Sequence, residues 1–580
     1  MPVTGYGLCP LMSANNEQTS LGRAAPGKAL PIVLLMLAAL LRIWNLPDRQ
    51  EVRDWDEIGY VTDGLVAWEG ISPGWGSVPA GPQTWIGWFY AAGRSGWEML
   101  RPQGGATVPL VLKPYMAIDQ ALFKTYEDLS GLRQLLLWIS LVVALAGVYG
   151  GYRLGAKYGG AAGGLLMGGL VAVLPMYIEF SGIAKSCSDA WMLAILAISC
   201  AATMAGTKRR WLPGVLLGLA IGSRIDMVLV APLVLWALWD NPEAGPAWKG
   251  MLTTLALALA ATLLSAPWAV QGFVGILRNI GLSRVTGYWT TESPRLTTLK
   301  SLAWGEGLGP VLLATIIGLF LLPAGARLKR GVLVGFAALM AATMFAGDYQ
   351  PMRYHGGPLI ALLTCAAVAV GALLQQWPRP AVALAALLLA LPLVQSVRAA
   401  ISMKSSYVPE TSTEWIDEHV PAGTTVYLHP GFIARAILPT EAAADAIWRV
   451  LTDDQAWRIK LQDGFRRFSL PEGRLPRALS EDNLCKDRGG CRRWFILGGG
   501  RSSRPRYDVR LVPMSATFGL QRGTLVAEFK RTGGVVVWRT RAGGMPEGLG
   551  EPWVKWLSRN GEGTLIFVSP DVREKLKSRP

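Results

Sequence analysis

Histidine and cysteine are scarce: three and six in 580 residues. Cys187, Cys200 and Cys365 lie in or beside apolar runs, where a thiol acts as a small hydrophobe. Cys485 and Cys491 share a polar loop with neither a second pair nor a nearby His, so a zinc site is not expected. If that loop lies outside the cytoplasm, a disulfide between them is favoured over two free thiols. Charge is also sparse, at 17% of residues, and unbalanced, with 40 acids against 56 Lys and Arg. No internal repeat and no low-complexity tract is visible, and the basic residues are dispersed with no recognition motif, which argues against nucleic acid.

What is abundant is apolar sequence. The chain is 51% hydrophobic with a mean hydropathy of +0.32, and runs of spanning length recur from residue 29 to residue 398. Only helices or closed barrels satisfy the backbone in lipid, and these runs are too continuous for alternating barrel strands. The reading is a polytopic α-helical membrane protein with about eleven segments: 29–46, 132–150, 159–178, 189–205, 211–222, 225–239, 251–270, 308–323, 331–346, 356–375 and 380–397. The first run lacks small residues at Arg42-Ile43-Trp44-Asn45 and reads as an uncleaved helix.

Basic residues set the orientation. Arg153 and Lys157, Lys208-Arg209-Arg210, and Arg327-Leu328-Lys329-Arg330 follow alternate spans. Placing them in the cytoplasm puts the tail 1–28 inside and the loops 47–131, 179–188, 271–307 and 347–355 outside. The long loop 47–131 carries Thr84-Trp85-Ile86-Gly87-Trp88-Phe89-Tyr90, which reads as a segment in the headgroup plane. Residues 399–580 form a separate unit on the outer side. Strands are expected at 424–428, 493–497, 524–529, 535–538 and 564–568, giving a soluble α/β domain. From residue 401 onward there are 28 Lys and Arg against 20 Asp and Glu, which favours anionic headgroups or an anionic ligand.

The outer loops hold the residues suited to chemistry. Asp54, Asp56 and Glu57 stand within four positions just beyond the first span. Clustered carboxylates at a membrane surface raise one another's pKa, so one can take a proton from an acceptor; equally, Asp54 or Asp56 can simply cap a helix. Lys113-Pro114 lies late in the same loop and suits a phosphate or a snorkelling position. Asp189 opens the fourth span, as a first-turn acid or an assisting group. Arg224 and Asp226 sit at a hairpin tip, either as a phosphate ligand with its neighbour or as a pair with each other. Arg353, Tyr354 and His355 precede a late span.

In order, Asp56-Glu57-Ile58-Gly59-Tyr60, Lys113-Pro114, Asp189, Gly218 to Arg224 and Arg353-Tyr354 resemble the GT-C superfamily of membrane glycosyltransferases. The closer branch holds the protein mannosyltransferases and the lipid A aminoarabinose transferase. The chain departs from the pattern at Tyr115, where a second Pro is usual, and in its longer first loop. The resemblance implies a GT-C-like transmembrane domain over 29–398 and inverting transfer of a sugar from a polyprenyl-phosphate donor to an envelope lipid, glycan or protein. It makes Asp56 the base with Glu57 beside it and Asp189 a second acid. Lys113, Arg224 and Arg353 would neutralise the departing phosphate, with Tyr354 donating to it. Asp54, Tyr60 and His355 are further candidates; some relatives use a divalent metal and others do not, the reading here favours none, and no other cofactor is expected. The competing readings are a secondary transporter or flippase, which should show repeats and mid-membrane charges, and an assembly protein whose acids only cap helices.

Overall fold

The computed structural model describes residues 29–46, 126–184, 186–206, 208–241, 247–266, 301–321, 327–345, 355–377 and 380–405. It also describes five short strands between 425 and 568 and scattered positions at 84–95 and 299. The helices are α1 (Ala29–Trp44), α2 (Tyr126–Val173), α3 (Pro175–Ser181), α4 (Cys187–Thr203) and α5 (Lys208–Ser223). After a 3₁₀ turn (Ile225–Val230) come α6 (Ala231–Asp240) and α7 (Ala247–Ser265). A π turn (Ser301–Gly305) then leads to α8 (Gly309–Phe320), α9 (Arg327–Phe345), α10 (Gly356–Gln376) and α11 (Ala381–Ser405). Each apolar segment expected from the sequence carries helix, and among the described residues four helices are long and apolar enough to cross a membrane: Arg133–Val173, Trp248–Ser265, Gly356–Gln376 and Ala381–Ile401. Large apolar side chains such as Leu264, Phe320 and Leu387 face outward, as a bundle solvated by lipid requires. The molecule is a polytopic helical membrane protein.

The segments expected at 132–150 and 159–178 are the two arms of α2, and the turn between them is made by glycine. Gly159 leaves the helical region (φ −132°, ψ 15°), and Gly160 takes φ 61°, a conformation that side chains with a Cβ rarely adopt. The arms fold back on each other through small residues. A Cβ on Gly155 would collide with the Gly163 carbonyl, and one on Gly163 with the Gly155 carbonyl. Tyr152 fills the space left by Gly164 and Gly168. Helices in lipid associate through such close backbone approach rather than through hydrophobic burial. The same device joins α5 to α7, where Gly214, Gly218 and Gly222 meet Thr254, Ala258 and Ser265, and the Thr262 hydroxyl donates to the Gly218 carbonyl at 3.1 Å.

The third expected segment ends early. Pro175 has no N–H for the Val171 carbonyl, and the preceding Leu174 is extended (ψ 125°), so α2 stops and α3 begins afresh. Arg42 of α1, 1% exposed, supplies the missing donors: its guanidinium donates to the Val171 carbonyl at 3.0 Å and to the Ala172 carbonyl at 2.9 Å. Glu306, fully buried, accepts from the Met176 N–H at 3.0 Å, which would otherwise have served Ala172. Asn45 donates to the Ile178 carbonyl at 2.8 Å.

The helix ends sort into two groups, as the alternation of spans expects. At one end Lys157 donates to the Ala202 carbonyl (2.5 Å), Asn241 to the same carbonyl (2.7 Å), Tyr158 to Asp240 (3.0 Å) and Lys329 to the Trp239 carbonyl (2.8 Å). Gln375 donates to the Tyr158 carbonyl at 2.6 Å. At the other end lie Arg42, Asn45, α3, the start of α4, Arg224, Glu306 and the start of α10.

The strands are β1 (Thr425–Leu428), β2 (Arg493–Ile496), β3 (Val509–Pro513), β4 (Val535–Arg539) and β5 (Thr564–Val568), in one sheet ordered β2-β1-β3-β5-β4. β1 runs parallel to β2 and β3, while β5 is antiparallel to β3 and β4. Four of them match the expected strands within a residue or two. The expectation at 524–529 lies outside the described residues. β3 was not foreseen, since Val509-Arg510-Leu511-Val512-Pro513 carries an Arg and closes on a Pro. It pairs on both sides, and Pro513 falls at its last position, where a missing donor costs little.

Candidate active site at one end of the bundle

Of the residues singled out from the sequence, Asp54, Asp56, Glu57, Tyr60, Lys113, Arg353, Tyr354, Cys485 and Cys491 lie outside the described residues. Asp189, Arg224 and His355 lie within them, and the structure brings all three to the same end.

Asp189 stands in the first turn of α4 and is fully buried. Its Oδ2 accepts from the Ser140 hydroxyl of α2 at 3.0 Å, while Oδ1 meets no partner among the described residues. Met192, one turn on, packs against Gly147 of α2, so this face of α4 is turned to α2. A buried carboxylate with one oxygen held and the other unengaged is costly to leave so, and it can accept from an incoming hydroxyl.

The opposite face of α4 carries Cys187 and Trp191, one turn apart. Arg224 reaches it from the end of α5, with Nη1 2.9 Å from the Cys187 sulfur. Its Nε and Nη2 grip Asp226 in a fork, at 3.0 Å to Oδ1 and 2.9 Å to Oδ2. Arg224 and Asp226 therefore form a pair. The fork fixes the plane of a cation that is 8% exposed. Asp189 and Arg224 share an end of the bundle but face different sides of α4, which spacing alone did not reveal.

His355 precedes α10, its carbonyl accepting from the Leu359 N–H at 2.8 Å. The ring is 3% exposed and neither nitrogen has a partner among the described residues; burial pushes the imidazole down to about 4, so it is neutral at pH 7. Next to it, Gly356 must be glycine, because a Cβ there would land on Nε1 of Trp191. Trp191 is itself held by α3: its ring lies 5.7 Å from Tyr177 and 5.2 Å from Phe180 in an edge-on contact. The chain thus enters α10 directly after Arg353 and Tyr354 at a position fixed by α4 and α3.

Sequence reasoning missed Ser140, Glu306, Tyr177 and Trp191, and met Arg42 and Asn45 only as a helix flank. Ser140 was the one polar residue in Leu135-Leu136-Leu137-Trp138-Ile139-Ser140-Leu141, and Glu306 the lone acid between glycines; both were legible as interruptions but not as partners. Among the described residues no group of three or more His, Cys, Asp or Glu comes together to hold a metal ion. Cys187, Cys200 and Cys365 are buried free thiols.

No protein-family model and no curated protein matches the sequence. Among solved structures, the chain is similar to ArnT from Cupriavidus metallidurans in the apo state. The identity is 11% and the TM-score 0.39, over 93% of this chain and 97% of that one. It is also similar to the Archaeoglobus fulgidus oligosaccharyltransferase tethered to an acceptor peptide, with 12% identity and a TM-score of 0.37 over 84% of this chain and 69% of that one.

Proposed function

We propose that the chain is a GT-C-type membrane glycosyltransferase that moves a sugar from a polyprenyl-phosphate donor to an envelope acceptor. One observation carries this reading: a buried, half-engaged acid (Asp189), a fixed guanidinium (Arg224) and the helix start that follows Arg353-Tyr354 converge at the bundle end that the alternation of spans assigns to the outer loops. Asp56 in the outer loop takes the acceptor proton, with Glu57 beside it, and Asp189 stands as a second acid near the acceptor. Arg224, Lys113 and Arg353 meet the negative charge that grows on the departing phosphate, and Tyr354 donates to it, since preorganised cations act where charge develops. Attack on the anomeric carbon from the side opposite the phosphate inverts it. The reaction end faces the outside of an inner membrane, with the basic residues at the other end of the bundle in the cytoplasm and the strands of 399–580 in an outer α/β domain.

The test is donor consumption. Purified protein in lipid receives polyprenyl phosphates carrying different sugars and a crude envelope acceptor fraction, and free polyprenyl phosphate is measured. Release should depend on one sugar and fall at least about 100-fold in Asp56→Asn, the scale of a lost general base. Equal release by the variant would remove Asp56 from the mechanism, and no release with any donor would remove the enzyme reading.

A further inference from the structure

Thirteen buried side-chain nitrogen and oxygen atoms among the described residues have no hydrogen-bond partner, and five of them belong to residues gathered about Trp191. They are the Tyr177 hydroxyl of α3, the Ser188 hydroxyl and Trp191 Nε1 of α4, and both ring nitrogens of His355 at the start of α10. The contacts draw them together. Tyr177 and Trp191 have ring centroids 5.7 Å apart, Trp191 Nε1 stands against Gly356, and Ser188 lies one turn before Trp191. Native interiors leave few polar groups unmet, and a concentration of them calls for an explanation such as a ligand.

We propose that Tyr177, Trp191 and His355 form the subsite that recognises the transferred sugar. The chemistry of the groups selects the ligand. Trp191 offers a donor only, Tyr177 and Ser188 offer a donor and acceptors each, and neutral His355 offers one of each. The described cations nearest this region are directed elsewhere: Arg42 to the Val171 and Ala172 carbonyls, Arg224 to Asp226. Of the described acids at this end, Asp189, Glu179 and Glu306 are buried and Asp226 is paired with Arg224. Such a region suits an uncharged ring whose hydroxyls both donate and accept, and not a phosphate. The subsite rests on the reading of the chain as a polyprenyl-phosphate-dependent transferase.

Because these atoms have no partner among the described residues, removing them should not harm the fold. Tyr177→Phe deletes only the hydroxyl, and Trp191→Phe deletes the indole N–H with some packing. The full chain in lipid nanodiscs is melted alone, with undecaprenyl phosphate, and with undecaprenyl phosphate carrying mannose, glucose, arabinose or aminoarabinose. In the wild type one sugar-bearing lipid should raise Tm beyond the bare lipid. Tyr177→Phe should melt at or above the wild type and respond equally to the bare lipid. It should lose the sugar's increment and at least about 10-fold in transfer, as for one lost hydrogen bond to a ligand. Trp191→Phe should lose the increment too. An intact increment in both variants would overturn the subsite, as would a lower Tm for Tyr177→Phe, which would mean that its hydroxyl serves the fold. No response of the wild type to either kind of lipid would overturn the donor reading and the subsite with it.

Discussion

His355 shows what one buried side chain does to the pH response of the whole. Its imidazole is pushed down to about 4 by burial, against about 6.5 in an unfolded chain. Between these values the unfolded state holds the extra proton, so folding stability rises with pH through that window and is lost as pH falls from about 6.5 towards 4. Thermal melts at pH ~7 and pH ~5 should show Tm falling on acidification, and falling less in His355→Gln. Equal slopes in the two proteins would sink the assignment. The position of His355 beside two candidate ligands was legible in the sequence; its neutrality was not, because that depends on Trp191 and α3 closing over a helix start more than 160 positions further along the chain.

Among the elements, the break between α2 and α3 is where local and distant sequence meet. Pro175 announces a stop, and the sequence reading nonetheless ran the span on to residue 178 because the flanking residues stay apolar. What the sequence could not show is that the freed carbonyls are met by Arg42, about 130 positions earlier in the chain, and the freed Met176 N–H by Glu306. An arginine near the end of a first span reads as a snorkelling cation; here it is buried and cannot reach water. Arg42→Met should leave two buried carbonyls unmet, at about 1–3 kcal/mol each. Adding Pro175→Ala returns an N–H in reach of the Val171 carbonyl, so the double variant should recover part of the loss. Melts of the four proteins give the coupling directly. Additive losses would show that Arg42 does not serve the carbonyl that Pro175 leaves open.

At the scale of the molecule, the positions of the described helices followed from apolar runs, since these are a local property of the chain. The close approach of those helices did not, because it depends on which glycines face one another: Gly155 and Gly163 across the α2 turn, Gly214, Gly218 and Gly222 along α5. The grouping of helix ends carries a topological prediction. A cysteine placed at Gly206, beside the Ala202 carbonyl end, should resist a membrane-impermeant maleimide added outside intact cells, and one placed at Ser283 should react. The buried native thiols Cys187, Cys200 and Cys365 should stay silent in both. The reverse pattern would invert the proposed orientation and move the candidate chemistry to the cytoplasm.

Helix α4 has a consequence for motion. Two neighbours, Lys157 and Asn241, grip the single Ala202 carbonyl near its last turn, and Arg224 touches its first residue. Glycine pockets on α2 receive Met192 and Leu196 along its length. Such a helix can neither slide nor roll without breaking contacts at both ends at once. It is the stator of the bundle: on the proposed function, substrates are delivered to Asp189, because its carboxyl cannot travel to them.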